Sequence, residues 1–350
     1  MKKTLIALTL ATLPVAAMAE VVLYGQIKAG YEVNSTKAGD SDRSPYQNGI
    51  VDFGSRLGFK GKEDLGNGLN AIWQVEQKVT VDGKERGFGT RDSFIGLEGG
   101  FGKVRAGYLS NYQNSDMQIP DAWEYSSDAL GLGKYTRTGV RRAAIRYDSP
   151  SFAGFTFTGA YSPSDNNNDS VDSRTTVRPS ESKDVYNLGL GYENSGFFGK
   201  YAYEYQKNAY GTYNGQVHNL EAGYDANNLF VAGGYQYTRN ALQGTHARYT
   251  DAAGNAVNLG ARSQEAVITA GYHFGNVFPK ISYAHGWNVK DNDGTSLGNT
   301  KYDQVVLGAD YDFSKRTTAM VSAGWLSEGL GEGNDKSKTT AFGVGMKHKF

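Results

Sequence analysis

The sequence predicts an all-β protein, a 16-stranded antiparallel transmembrane β-barrel, and three observations carry that reading. The first is the C-terminus, where Phe342, Val344, Met346, His348 and Phe350 fall on one face of an extended strand and Gly343, Gly345, Lys347 and Lys349 on the other. A period of two with one apolar and one polar face is a strand between two environments. The second is that such segments recur along the chain, joined alternately by tight turns and long polar loops. The third is Met1 to Ala19, which combines a charged start, a short apolar run and an Ala-x-Ala ending. That is the pattern of a cleaved secretory signal, its apolar run too short for a membrane helix. Residues 20–350 would then form one exported barrel domain.

Taken in order, alternation places strands at Val21–Val33, Ile50–Gly61, Leu69–Val81, Arg91–Glu98 and Lys103–Leu109. After a thirty-residue polar stretch, about 110–139, they resume at Val140–Tyr147, Phe155–Tyr161, Val185–Glu193, Phe197–Lys207, Val217–Asp225 and Leu229–Arg239. The last five are Ser263–Phe274, Phe278–Asn288, Tyr302–Phe313, Thr317–Ser327 and Thr339–Phe350. Long connections are expected near 162–184, 208–216, 240–262, 289–301 and 328–338, with tight turns such as Asn194–Gly196 and Ser314–Arg316 opposite them. Tight turns at one end and long loops at the other mark an outer-membrane barrel, the turns on the periplasmic side. On the second strand one parity puts Val51, Phe53, Leu57 and Phe59 outward, with Asp52, Arg56 and Lys60 opposite.

Composition agrees. The chain has 46 Gly, 24 Tyr and only 7 Pro, and its mean hydropathy is −0.52. Glycine suits the corners and bulges of curved strands, and tyrosine suits interfacial girdles. There is no Cys, which excludes disulfides, thiol catalysis and zinc–thiolate sites, and the five His lack ligand spacing. Lys plus Arg equals Asp plus Glu at 36 each, so nothing calls for a nucleic-acid partner. Gly294-Thr-Ser-Leu-Gly298 matches a nucleophile-elbow pattern but sits in a polar loop without the required strand and helix. Asp165–Asp169 has calcium-loop spacing but lacks the Gly and Glu that complete one. The reading is therefore not an enzyme, with no cofactor and no metal.

Several segments resemble a known family. Leu23-Tyr-Gly-Gln-Ile-Lys-Ala-Gly30, Gly58-Phe-Lys-Gly-Lys-Glu-Asp-Leu-Gly-Asn-Gly-Leu69, Ser93-Phe-Ile-Gly-Leu97, Arg146-Tyr-Asp-Ser-Pro150, Tyr283-Ala-His-Gly286, Tyr311-Asp-Phe-Ser-Lys-Arg316 and Lys347-His-Lys-Phe350 are similar to the general diffusion porins of Neisseria and related betaproteobacteria. The resemblance implies a homotrimer, a third loop folded into the lumen, and a multi-pass place in the outer membrane among lipid and lipopolysaccharide. It also implies insertion by the barrel assembly machinery, with terminal Phe350 as the assembly signal, and passive passage of ions and small polar solutes. A substrate-specific channel is the alternative within transport; a barrel enzyme and an adhesin are the alternatives outside it.

The candidate site is electrostatic. Alternation puts Lys28, Arg56, Lys60, Lys78, Lys103, Arg105, Arg142 and Arg146 on lumen faces. A charge facing lipid near the midplane costs roughly 2–4 kcal/mol, so bases at that depth must face water. The long third loop supplies acids: Asp116, Asp121, Glu124 and Asp128, with Asp52 and Glu76 on the wall. Asp121–Gly131 reads as a short helix presenting Asp121, Glu124 and Asp128 on one face. An acidic loop opposite a basic wall would set a transverse field across a narrow wet gap, with a weak preference for anions.

Overall fold

The computed structural model describes residues 20–39, 44–82, 89–164, 183–210, 213–241, 261–291, 293–329, 331 and 336–350. The signal-like residues 1–19 and the stretch 165–169 lie outside them. The strands are β1 (Glu20–Ala38), β2 (Gln47–Asp52), β3 (Arg56–Gly66), β4 (Leu69–Lys78), β5 (Ser93–Gly99), β6 (Gly102–Ser110), β7 (Arg141–Asp148), β8 (Phe155–Ser162) and β9 (Val185–Asn194). They continue as β10 (Phe197–Tyr210), β11 (Tyr213–Ala226), β12 (Leu229–Arg239), β13 (Arg262–Tyr272), β14 (Val277–Gly286), β15 (Tyr302–Asp312), β16 (Thr317–Glu328) and β17 (Ser337–Lys349). All pairings are antiparallel, and β17 pairs back onto β1 from Gln26↔Lys349 to Ala38↔Ser337, closing one sheet. Both β2 and β3 pair with β1, against Ala29–Asn34 and Glu20–Gln26 respectively. They are two halves of one stave, so the seventeen ladder segments make a sixteen-stave barrel.

The break between those halves corrects the single parity expected there. Ala29 faces Asp52 while Gln26 faces Arg56, so the second stave carries one extra residue, a β-bulge. Asp52 Oδ1 closes it by accepting the Gly54 and Ser55 N–H groups at 2.8 and 3.0 Å. An inserted residue moves every following side chain to the opposite face. Phe53 accordingly turns inward and is only 6% exposed, whereas Phe59 faces outward at 43%. Sequence alternation cannot register a bulge flanked by apolar residues on both sides.

Elsewhere the faces follow the alternation. Ile95, Ile145, Leu188, Leu220, Ile268, Ile281, Leu307 and Met346 are exposed on the outer surface, while Glu204, Gln236, Thr269 and Gln304 are buried inside. Several strands run longer than expected. β1 extends to Ala38, its polar end held by β17 and by a 2.9 Å bond between the Thr36 and Thr339 hydroxyls. β10 and β11 stay paired to Tyr210↔Tyr213, so the connection expected over 208–216 shrinks to the two residues 211–212.

The chain end is part of the closure. Gly25 N–H donates to the Phe350 oxygen and Phe350 N–H to the Gly25 carbonyl, both at 3.1 Å. Deleting Phe350 removes this last rung together with an outward ring. The deletion should lower the fraction of heat-modifiable barrel on comparing unheated with heated samples by electrophoresis. An unchanged fraction would contradict a role for the terminal rung.

Candidate functional site

The interior takes its shape from the segment 111–140 between β6 and β7. Its first turn is α1 (Tyr112–Ser115), capped by Asn111, whose Oδ1 accepts the Asn114 N–H at 3.1 Å. A second single turn, α2 (Gly133–Thr136), lies near its end. Between them no helix forms over 121–131, contrary to the expectation above.

Wall side chains explain why: a helix would pair the Ser126 N–H with the Ala122 carbonyl, and Glu32 and Lys280 take those two groups instead. Glu221 accepts the Gln118 and Ile119 N–H groups at 3.1 Å each, and Glu32 accepts that of Ser126 at 2.8 Å. Lys280 donates to the Ala122 carbonyl, and Gln304 Nε2 donates to the Asp128 and Gly131 carbonyls at 2.7 Å. These partners sit on β1, β11, β14 and β15, so the segment lies against the inner wall across much of the barrel. Apolar contact completes the seat: Trp123, Leu130, Leu132 and Tyr135 bury against Val267, Ala284, Val306 and Leu326. On β16 the approach is so close that a Cβ at Gly324 would stand 1.8 Å from the Ala129 carbonyl oxygen.

The predicted bases divide into groups. Lys28 is buried and joins the loop directly, 2.5 Å from Glu124. Glu124 also takes Lys347 at 2.8 Å, and Lys28 and Lys347 face each other across the β1–β17 seam. Arg146 is buried as well, donating to Ser110 O at 2.9 Å and pairing with Asp116 and Asp148 at 2.7 Å each. Arg56 stands 3.4 Å from Glu76, Arg105 is 2.5 Å from Asp148 and Arg142 is 3.1 Å from Glu204. Three bases stand apart from the loop. Lys103 is 3.3 Å from Glu98 beside a tight turn, Lys60 lies over the Tyr24 ring at 5.2 Å, and Lys78 ends β4.

The loop acids separate in the same way. Asp116 and Glu124 are ion-paired to the wall, Asp128 is exposed, and Asp121 is half-buried with its Oδ1 accepting the Leu132 N–H at 3.3 Å. Burial alone would raise the Glu124 carboxyl, but the Lys28 and Lys347 ammonium groups outweigh it and hold it at about 2. For Asp121 burial wins, pushing it up to about 7 although the Leu132 and Trp123 N–H groups and the Lys280 ammonium all act to lower it.

Sequence reading passed over several lumen charges. Arg91 pairs with Glu76, and Arg141 is 2.5 Å from Asp92. Lys134 pairs with Glu328, Arg137 is 2.8 Å from Glu265 and Lys280 is 2.8 Å from Asp310. Alternation on the later strands would have found Lys280, Glu204, Glu221 and Glu265, since each shares its parity with polar neighbours. Nothing local marks Lys134 or Arg137.

A closed antiparallel barrel with an apolar outer surface, a polar interior and its own loop packed inside is a membrane-spanning channel of the outer-membrane type. The chain belongs to the Gram-negative porin family, whose model matches residues 19–350. It is 49% identical to the major outer membrane protein P.IB of Neisseria sicca and 45% identical to that of Neisseria meningitidis serogroup B, in each case over 100% of both chains. In fold it is similar to an anion-selective porin from Comamonas acidovorans, with TM-score 0.70 and 21% identity over 95% of this chain and 100% of that one. A structure of Salmonella typhi OmpF in complex with daunomycin gives TM-score 0.67 and 22% identity over 95% and 98%. The protein is thus an outer-membrane porin, a multi-pass channel.

The two carboxyls make opposite predictions. Glu124→Gln removes a charge that stays ionised above about 2, so it should shift the zero-current potential in a salt gradient towards anions at every working pH. Asp121 gains its proton as pH falls through about 7, so the wild type should become more anion-preferring on acidification through neutrality. Asp121→Asn should flatten that change. An equal pH response in Asp121→Asn would show that another group titrates.

Proposed function

We propose that this porin passes small hydrophilic solutes and ions of both signs by passive diffusion, with a modest preference for anions. The observation that carries this reading is unequal exposure of the two signs inside the barrel. Glu204, Glu221 and Glu265 on β10, β11 and β13 are at most 5% exposed, the first covered by Arg142 and Asn111, the second by the Gln118 and Ile119 N–H groups and Tyr135, the third by Arg137. On the facing staves the guanidinium side chains of Arg56, Arg91 and Arg141 keep 35%, 21% and 21% of their surface, while Glu76 keeps only 9%. On that side of the barrel water therefore meets more positive than negative charge, whereas along the loop the acids are the more exposed partners, Glu124 at 26% beside Lys28 at 10% and Asp116 at 36% beside Arg146 at 3%. Ion pairing on the wall and screening beyond ~8 Å at physiological salt keep the preference small.

Within this reading Lys28, Arg56, Arg105, Arg142 and Arg146 form the basic side of the narrow region, and Asp116, Asp121, Glu124 and Asp128 belong to its acidic loop. Replacing Arg56, Arg105 and Arg142 with Gln removes three positive charges, taking the guanidinium from Glu204 and leaving Glu76 and Asp148 with Arg91 and Arg146 alone, while sparing Arg146, which holds the start of the loop. The triple variant should move the zero-current potential towards cations. A barrel that folds and conducts with an unmoved potential would remove these arginines from the narrow region. Saturable block by one particular sugar would instead favour the substrate-specific channel.

We also propose that residues 1–19 are cleaved on export and that three barrels assemble in the membrane with lipid and lipopolysaccharide around them. Mild-detergent electrophoresis without heating should give a species near three times the denatured chain. Monomer alone would exclude the trimer.

A further inference from the structure

We infer that the outer surface over β8 to β11 holds a seat for one acyl chain of a phospholipid in the periplasmic leaflet. This rests on the chain being an outer-membrane barrel. A hollow of about 320 Å³ opens there, at the short-turn end of the lipid-facing wall.

Two neighbouring rows of outward side chains build it. The upper row is Phe157, Leu190, Tyr201 and Leu220, each opposite the next across one ladder. The lower row begins with Phe155 and Tyr192 and then meets Gly199, where the wall has no side chain. A Cβ at Gly199 would touch nothing within 4 Å, so this glycine floors an open gap. Gly58 and Gly61, by contrast, are covered by the Tyr24 and Trp73 rings. Phe152, on the turn between β7 and β8, flanks the hollow at its short-turn side.

The walls are fixed before any chain arrives. Phe155 and Tyr192 pack ring against ring at 4.4 Å, and the Tyr192 hydroxyl accepts from Asn194 Nδ2 at 3.2 Å. On the other side the Tyr201 hydroxyl shares a 2.8 Å hydrogen bond with His218 Nδ1. Rings held in this way do not swing in to fill the space.

The surrounding medium decides the occupant. An apolar lining gives water no partners, and an empty gap forfeits the contacts of the atoms that line it. Hydrocarbon is the solvent on this face, so an acyl chain enters, and a concave wall meets it with more atoms than a flat one. Packing of this kind, rather than a hydrophobic force, is what drives association within lipid. Tight turns lie on the periplasmic side, which assigns the chain to the phospholipid of that leaflet. Lys200 beside the hollow is paired with Glu193 at 2.8 Å, so the seat selects a chain and not a headgroup charge.

The probe is palmitoyl-oleoyl phosphatidylethanolamine, titrated into folded protein in neutral detergent and counted on the intact barrel by native mass spectrometry. Saturation at one retained lipid per barrel is expected. Dihexanoyl phosphatidylethanolamine, with the same headgroup and short chains, should be retained poorly. Gly199→Phe fills the hollow and should weaken retention at least ~tenfold, a change of about 1.4 kcal/mol. Phe157→Ala with Leu220→Ala strips part of the upper wall and should weaken it in the same direction. Val321→Phe adds a ring to the outer face of β16, away from the hollow, and should leave retention unchanged. The seat is overturned if retention does not saturate, or if either hollow variant, folded as judged by heat-modifiability, retains lipid like wild type. It is equally overturned if the β16 control weakens retention as much, or if the short-chain lipid is held as well. Loss of a multi-barrel species in Gly199→Phe with unchanged lipid retention would assign the hollow to a second copy instead. Each of these outcomes leaves the channel reading intact while chloride current flows. Absence of chloride current in folded protein would instead refute the channel.

Discussion

Hydrocarbon offers no partner to a backbone N–H or C=O, and every stave of this molecule answers to that constraint. An open sheet would leave two unpaired edges in lipid, so β17 must return to β1, and the seam is among the longest continuous pairings in the barrel. The rung between Gly25 and Phe350 completes it at the short-turn end. Once the ladder is closed, side-chain parity decides the rest. One face is committed to lipid and the other to whatever fills the interior.

The interior is not simply water. Among the described residues the largest buried apolar cluster lies inside the barrel, where Trp123, Leu130, Leu132 and Tyr135 meet apolar residues on the inner faces of β13 to β16. The usual relation of core to surface is inverted: outward leucines and isoleucines dissolve in lipid, while the packed core joins a loop to a wall. This loop is irregular because its backbone partners are wall side chains. Glu32 and Lys280 take the Ser126 N–H and the Ala122 carbonyl, which a helix would have paired with each other, and Glu221 and Gln304 hold the flanking groups. Charged residues therefore serve as structural clamps as well as electrostatic lining, and the two roles compete for the same side chains.

That competition sets the charge the lumen presents. Acids on β10 to β13 are covered. Glu76 and Asp92 are held by Arg56, Arg91 and Arg141, which stay more exposed than they are, and Asp148 is more exposed than the Arg105 and Arg146 that hold it. Glu124 shows both roles at once, since it separates two lysines that would otherwise repel across the seam and fastens the loop in doing so. Burial pushes the carboxyl of Asp121, only a few residues away, up to about 7 against the pull of Lys280. Proximity in sequence gave these two carboxylates no common fate.

Alternation alone determined the barrel, the stave count, the tight-turn end and the inward parity of Lys28, Arg105, Arg142 and Arg146, because a period of two survives wherever lipid selects one face. It did not determine Phe53, since a bulge changes parity without changing composition. Nor did it determine the loop. Asp121 to Gly131 has the carboxylate spacing of a helix, yet its hydrogen-bond partners come from strands as many as 176 residues away in the chain. Which bases meet which acids was equally out of reach, as in Lys28 and Lys347 converging on Glu124 from opposite ends of the sequence. The periodic pattern is a local consequence of the solvent on each side of a strand. The lining of the pore depends on contacts that exist only after the sheet has closed.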